Sequence, residues 1–347
     1  MSVPDPPPPR KPRRLGLTAP FVLLGLLVAA WSAVWIWMQG QVARRMDSAV
    51  QALNAAGYQI TWKTRTIGGY PFRLDVTLDE PRVREPSGWG LEAPRIEAEA
   101  FTHAPTSWLI AAPAGIVFVR PLDGPVTVTG ELIRASLTHP QAHPPSFSFE
   151  GVKLAFAPQP GAQPFALTAA ERVEFHLRAG PDDQGGVFAK VEGGRARLSG
   201  LFGRVAGDKP IGIVWNSTLS KMSAFHGATW PQAVRRWTDA GGRMTVRQAG
   251  ITAGDAVLGA NGGVLSVGAD GRLRGDLPVS LRQAPRALGA MRDTGIIEPD
   301  AAQSAATVAQ ARQGAGDATQ ATLTFQAGRT TLGPVALGPA PKVYDLR

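Results

Sequence analysis

The sequence predicts a mainly β, all-antiparallel fold carried on one N-terminal transmembrane helix. Three observations point there: an uncharged run from Leu15 to Met38, repeated apolar–polar alternation after Gly57, and 40 glycines with 30 prolines in 347 residues. That composition favours turns over long helices. With 44% hydrophobic and 18% charged residues the chain is globular, and it is long enough for a sizeable core.

Residues 1–14 form a basic, Pro-rich tail too short to make a domain. Residues 15–38 form the anchor: 24 uncharged positions span roughly 36 Å as a helix, enough for a hydrocarbon core of about 30 Å. Arg10, Lys11, Arg13 and Arg14 precede the run directly, so the positive-inside rule predicts a cytoplasmic N-terminus and an exported remainder. Trp31, Trp35 and Trp37 sit at the exit end, where indoles favour the membrane–water interface. Val28 and Ala30 satisfy a small-residue cleavage rule, but the apolar run continues through Met38. That is longer than a signal-peptide core, and the reading is an uncleaved anchor.

Residues 39–57 read as a stalk helix, with Val42, Met46, Ala49, Val50 and Leu53 at helical spacing and Gly57 as its stop. Residues 58–347 read as one exported β-rich domain, curved or sandwich-like, with a few peripheral helices. Phe72, Leu74, Val76 and Leu78 alternate with Arg73, Asp75, Thr77 and Asp79, which predicts a strand with one apolar face. Ile96, Ala98 and Ala100 oppose Arg95, Glu97 and Glu99, with Pro94 marking an edge or bulge. Further strands are expected at 116–119, 126–137, 147–156, 173–177, 187–198 and 211–219. Pro231 and Gly241-Gly242 bracket a helix. Strands at 257–267 and 273–281 flank an Asp270-Gly271 turn. Residues 283–291 and 301–312 read as helical, and extended structure closes the chain from Leu323 to Leu337.

No catalytic set emerges. The sequence has no cysteine, which excludes disulfides, thiolate catalysis and Cys-ligated zinc. His139 and His143 share a loop without the intervening Glu of a zincin, and there is no G-x-S-x-G elbow, P-loop or G-x-G-x-x-G fingerprint after a strand. Asp182-Asp183 reads as a polar turn. The pairs Asp75/Asp79 and Glu97/Glu99 read as a solvated strand face rather than acid–base partners. Of the formal charge of +9, the tail supplies +3; the remainder is scattered singly, which argues against nucleic-acid binding. No cofactor, metal or enzymatic activity is expected.

At Gly68-Gly69-Tyr70-Pro71-Phe72-Arg73, directly after anchor and stalk, the chain resembles an uncharacterised alphaproteobacterial family, domain of unknown function 2125. The segments from Asp270 to Leu281 and from Gly328 to Gly338 support this over most of the chain. The Asp-Gly-x-Leu-x-Gly-x-Leu rhythm is also similar to AsmA-like proteins, anchored in the inner membrane with β-rich periplasmic domains. That resemblance implies a curved sheet whose apolar face accepts phospholipid or other acyl-chain lipid, with Phe72, Leu74, Val76 and Leu78 as candidate lipid-facing positions. The expected function is a non-enzymatic periplasmic protein that binds or transfers lipid in envelope maintenance. The alternative is a structural module that tethers or assembles other envelope proteins. Alternation alone does not separate an open groove from a closed sandwich.

Overall fold

The computed structural model describes residues 15–196, 209–227, 229–253, 256–282 and 318–344. The segments expected to be helical at 283–291 and 301–312 lie outside them. Anchor and stalk form one unbroken helix, α1 (Leu15–Ala55), which ends two residues before Gly57. Within it, Thr18–Ala55 reaches a mean hydropathy of 2.1 over its most apolar stretch, of which 6% is buried. A core helix would be mostly buried. This one exposes Phe21, Leu26 and Ile36, and it is long and apolar enough to cross a membrane.

The rest is mainly β, in a single antiparallel sheet of 21 strands. Of the first six full-length strands, five are interrupted near the middle and the sixth is continuous. They comprise β1 (Gln59–Thr61) with β2 (Thr64–Gly68), β3 (Arg73–Asp79) with β4 (Arg82–Arg84), β5 (Gly90–Glu92) with β6 (Arg95–Phe101), β7 (Ser107–Ala111) with β8 (Ile116–Arg120), β9 (Gly124–Thr129) with β10 (Leu132–Thr138), and β11 (Ser146–Pro158). Uninterrupted strands follow: β12 (Leu167–Ala179), β13 (Gly185–Ala196), β14 (Ile211–Leu219) and β15 (Met244–Ala253). A broken strand, β16 (Ala256–Ala260) and β17 (Val264–Val267), leads to β18 (Leu273–Arg282), β19 (Ala318–Gln326), β20 (Arg329–Leu332) and β21 (Val335–Pro339). Each full-length strand pairs with the next, so the sheet is one long meander. Among the described residues no pairing joins its first strand to its last.

The interruptions line up. Register jumps from Thr61↔Arg82 to Thr64↔Asp79, from Arg82↔Glu92 to Asp79↔Arg95, and from Thr129↔Ala155 to Leu132↔Val152. Pro81, Pro94 and Pro113 supply no ladder donor at this line, and Glu80 and Lys153 have φ near +49°. The sheet bends there, and side chains from both sides of the crease share one core: Val126 and Val128 meet Ile133, Leu154 and Phe149. A second core, around Val246, Leu265, Leu277 and Phe325, underlies the last third of the sheet.

Directly opposed residues of an antiparallel sheet point to one face. The row Val76, Ala98, Ile110, Ala135, Phe149, Phe175, Ala189, Trp215, Ala249, Ala260, Val279, Ala321 therefore lies on a single face and is apolar on every strand it crosses. The neighbouring row Thr77, Glu97, Ala111, Arg134, Glu150, Glu174, Lys190 points the other way. Arg73 meets Glu99 at 3.1 Å, Arg95 meets Asp79 at 3.0 Å and Arg134 meets Glu150 at 2.5 Å on this polar face. Hydrogen bonds from Thr64 and Arg95 hold the Asp79 carboxyl below its usual range, and Arg134 does the same for Glu150. Asp75, Asp79 and Glu99 thus belong to a solvated, ion-paired strand face, where pairing contributes little to stability.

Val76 is 4% exposed and Thr77 faces the charged side. Val76→Asp is expected to cost about 3–5 kcal/mol as a buried unpaired charge. Thr77→Asp, beside Glu97, should cost less than about 1 kcal/mol. Denaturant unfolding of the two full-length variants in detergent measures both.

Candidate functional site

Between β14 and β15 the chain leaves the sheet and caps the apolar face. A short 3-10 helix (Met222–Ala224) begins at Lys221, whose φ is 58°. The Asp183 carboxylate anchors it, accepting from the Ser223 N–H at 2.7 Å and the Ser223 hydroxyl at 2.8 Å. Those bonds hold the Asp183 carboxyl below its ordinary range. The Asp182-Asp183 turn is polar as expected, and it also tethers the cap.

Helix α2 (Trp230–Asp239) follows, with Thr229 as its N-cap and Pro231 in its first turn. Ala233, Val234 and Trp237 are buried, and with Trp230 they occupy the i, i+3, i+4, i+7 stripe of an amphipathic helix. Trp237 Nε1 donates to Ser220 O at 2.6 Å and Trp230 Nε1 to Val343 O at 2.9 Å. Phe225 meets both indoles edge-on, with centroids 5.4 and 6.3 Å apart. Directly after α2, Gly242 lets the chain pass against the indole of Trp237, where a Cβ would fall 2.3 Å from the ring.

Under the cap lies a cavity of about 410 Å³, within the roughly 300–1,000 Å³ typical of small-molecule sites. Its floor is the apolar face itself: Phe175, Leu177, Val187, Trp215, Leu219 and Met244. Met222, Phe225, Trp230, Val234 and Trp237 form the roof, and the His143-Pro144-Pro145 loop forms a wall. Five lining side chains carry polar atoms: the indoles of Trp215, Trp230 and Trp237, whose N–H groups are all bonded, and His143 and Ser217. Ser217 is 1% exposed, and its hydroxyl accepts from Trp215 Nε1 at 2.9 Å. The cavity therefore presents aliphatic and aromatic surface with almost no free hydrogen-bonding capacity, suited to an apolar guest. Among the described residues no group of three potential metal ligands occurs.

The sequence-derived candidates fall elsewhere on the same sheet. Leu74, Val76 and Leu78 share the face of the cavity floor, separated from it by β6, β7, β10 and β11. Leu74 and Val76 are buried and Leu78 is half-buried. Arg65 is on that face too, opposite Leu78, and its guanidinium binds Asp47 of α1 at 2.6 Å. The stalk thus lies over this end of the face. Phe72 precedes β3 in the β2–β3 turn and is 68% exposed. The cavity residues were not singled out from sequence; the Trp230-Ala233-Val234-Trp237 stripe is the signal that points to them.

Gly242→Ala should overpack Trp237, lowering stability by about 1–3 kcal/mol and weakening the near-ultraviolet tryptophan dichroism of the cap. An unchanged denaturation midpoint would show that the Gly242–Trp237 approach is not what seats the roof.

No curated protein and no solved structure matches the chain. A family match does cover residues 35–341, from Trp35 in α1 to the end of the described sheet. The chain belongs to the DUF2125 family, described as uncharacterised proteins conserved in bacteria.

Proposed function

We propose that the protein is a non-enzymatic, single-pass membrane protein that binds or transfers lipid in the bacterial envelope, lodging an acyl chain in the cavity beneath α2. The observation that carries this reading is the cavity's chemistry: a space of about 410 Å³ whose indole N–H groups and Ser217 are already bonded, with His143 as the remaining polar side chain. Water gains little in such a space, and hydrocarbon gains about 25 cal/mol for each Å² it removes from solvent. The long apolar row leading to the floor supports the same reading, as does the curved, lipid-accepting sheet implied by the AsmA-like resemblance. The basic tail before α1 supports, through the positive-inside rule, an orientation with the N-terminus in the cytoplasm, α1 in the inner membrane and the sheet in the periplasm.

Full-length protein in membranes whose phospholipids carry a photoactivatable group in the acyl chain should give adducts on peptides containing Phe175, Leu177, Val187 or Trp215. Val187→Glu, which puts a carboxylate into the floor, should remove those adducts while leaving those on α1. Adducts confined to α1 in the wild type would refute lipid occupancy and favour the tethering or assembly module. For topology, a reporter fused after Arg347 should be active only if of the type that folds in the periplasm. Activity of a cytoplasm-only reporter there would reverse the orientation.

A further inference from the structure

The Gly68-to-Arg73 segment is not used by the cavity. It forms the β2–β3 turn, and α1 grips that turn at the level of its exit tryptophans. Trp31 Nε1 donates to Pro71 O at 2.9 Å, Trp35 Nε1 donates to Arg73 O at 2.8 Å, and Ser32 Oγ lies 2.8 Å from the Tyr70 hydroxyl. Trp35 also packs edge-on against Tyr70, with centroids 5.5 Å apart. One turn further along α1, Gln39 Nε2 donates to Ile67 O.

These bonds fix the depth of the turn. If the uncharged run Leu15–Met38 is centred in the bilayer, Trp31 and Trp35 lie about 7 and 13 Å from the mid-plane, against a half-thickness of about 15 Å. The turn they hold is therefore within the leaflet, and two features suit it to that place. Backbone carbonyls in hydrocarbon need internal donors. Gly69 O accepts from Arg73 N, Phe72 O from Thr102 N, and Pro71 O and Arg73 O from the two indoles. Three of the side chains left outward are aromatic: Tyr70 is 51%, Phe72 68% and Phe101, opposite Arg73 in register, 52% exposed, while the exposed Arg73 is paired with Glu99. Gly69, at φ +97°, closes the turn tightly, since a Cβ there would meet Arg73 O at 2.8 Å.

We infer that the β2–β3 turn, with Phe101 beside it, is an interfacial membrane-insertion surface whose partner is the leaflet that α1 leaves. It seats the sheet end-on against the bilayer through Tyr70 and Phe72. This inference does not depend on the cavity holding lipid.

The absence of native cysteine makes single-cysteine labelling specific. Phe72→Cys and, as control, Leu122→Cys are labelled with an environment-sensitive fluorophore in the full-length protein in phosphatidylcholine nanodiscs. Leu122 lies in the β8–β9 turn at the opposite end of the strands and is 95% exposed. At Phe72→Cys the emission should be lost to nitroxide-bearing acyl chains and spared by aqueous iodide; at Leu122→Cys the pattern should reverse. Iodide quenching of Phe72→Cys equal to that of Leu122→Cys, or protection from both quenchers, overturns the inference. Phe101→Cys gives a second reading at the same depth.

Discussion

The constraint on which the rest of the structure depends is the register of a very long antiparallel sheet. Because side chains alternate between the two faces along each strand, the row through Val76 keeps one face apolar from β3 to β19, while the other face carries the charged pairs. A one-residue slip on any strand would exchange the two faces. Such a face usually meets a second sheet. Here all described strands belong to one sheet, and the covering comes from three unlike devices: the stalk of α1 over β2 and β3, the crease that turns β9 back on β10, and α2 over β12 to β15.

The three covers differ in how tightly they close. Under the stalk, Leu74 and Val76 are 1% and 4% exposed; at the crease, Val126 is fully buried. Under α2 the roof is held from outside the cavity, by the Trp237–Ser220 and Trp230–Val343 bonds and the Asp183 tether, and space remains between roof and floor. A helix set by indole bonds at its rim can stand off the sheet. That separates a cavity suited to a guest from an ordinary packing defect, which the roof would collapse to fill.

Much of the fold was legible because strand alternation and helix punctuation are local. Strand β14 matches the 211–219 expectation at both ends, and α2 fills the interval that Pro231 and Gly241-Gly242 were expected to bracket, starting one residue before Pro231. The run from Val126 to Leu137 was readable only as one strand, because its break at Gly130 is set by interruptions in neighbouring strands. Phe72 keeps the parity of Leu74 and Val76 yet leaves the strand, since the Arg73 N–H bonds back to Gly69 O and closes the turn. The cavity was least legible. It brings together strands more than sixty residues apart with a helix whose seating depends on Gly242, and no local pattern encodes that distance.

The charge distribution separates two roles that the apolar residues alone would blur. Tyr70, Phe72 and Phe101 lie beside Arg73 and Glu99, whose ion pair sits at their edge as a polar rim suited to headgroups. The cavity has no such rim: no Arg, Lys, Asp or Glu lines it, and Arg235 of α2 lies over the ring of Tyr344. If the cavity takes an acyl chain as proposed, recognition there rests on hydrocarbon shape, with little to select a headgroup. Selection among lipids would then fall to whatever presents the chain to the protein, and the inferred seating of the turn at leaflet depth would keep the sheet's end where acyl chains are most concentrated.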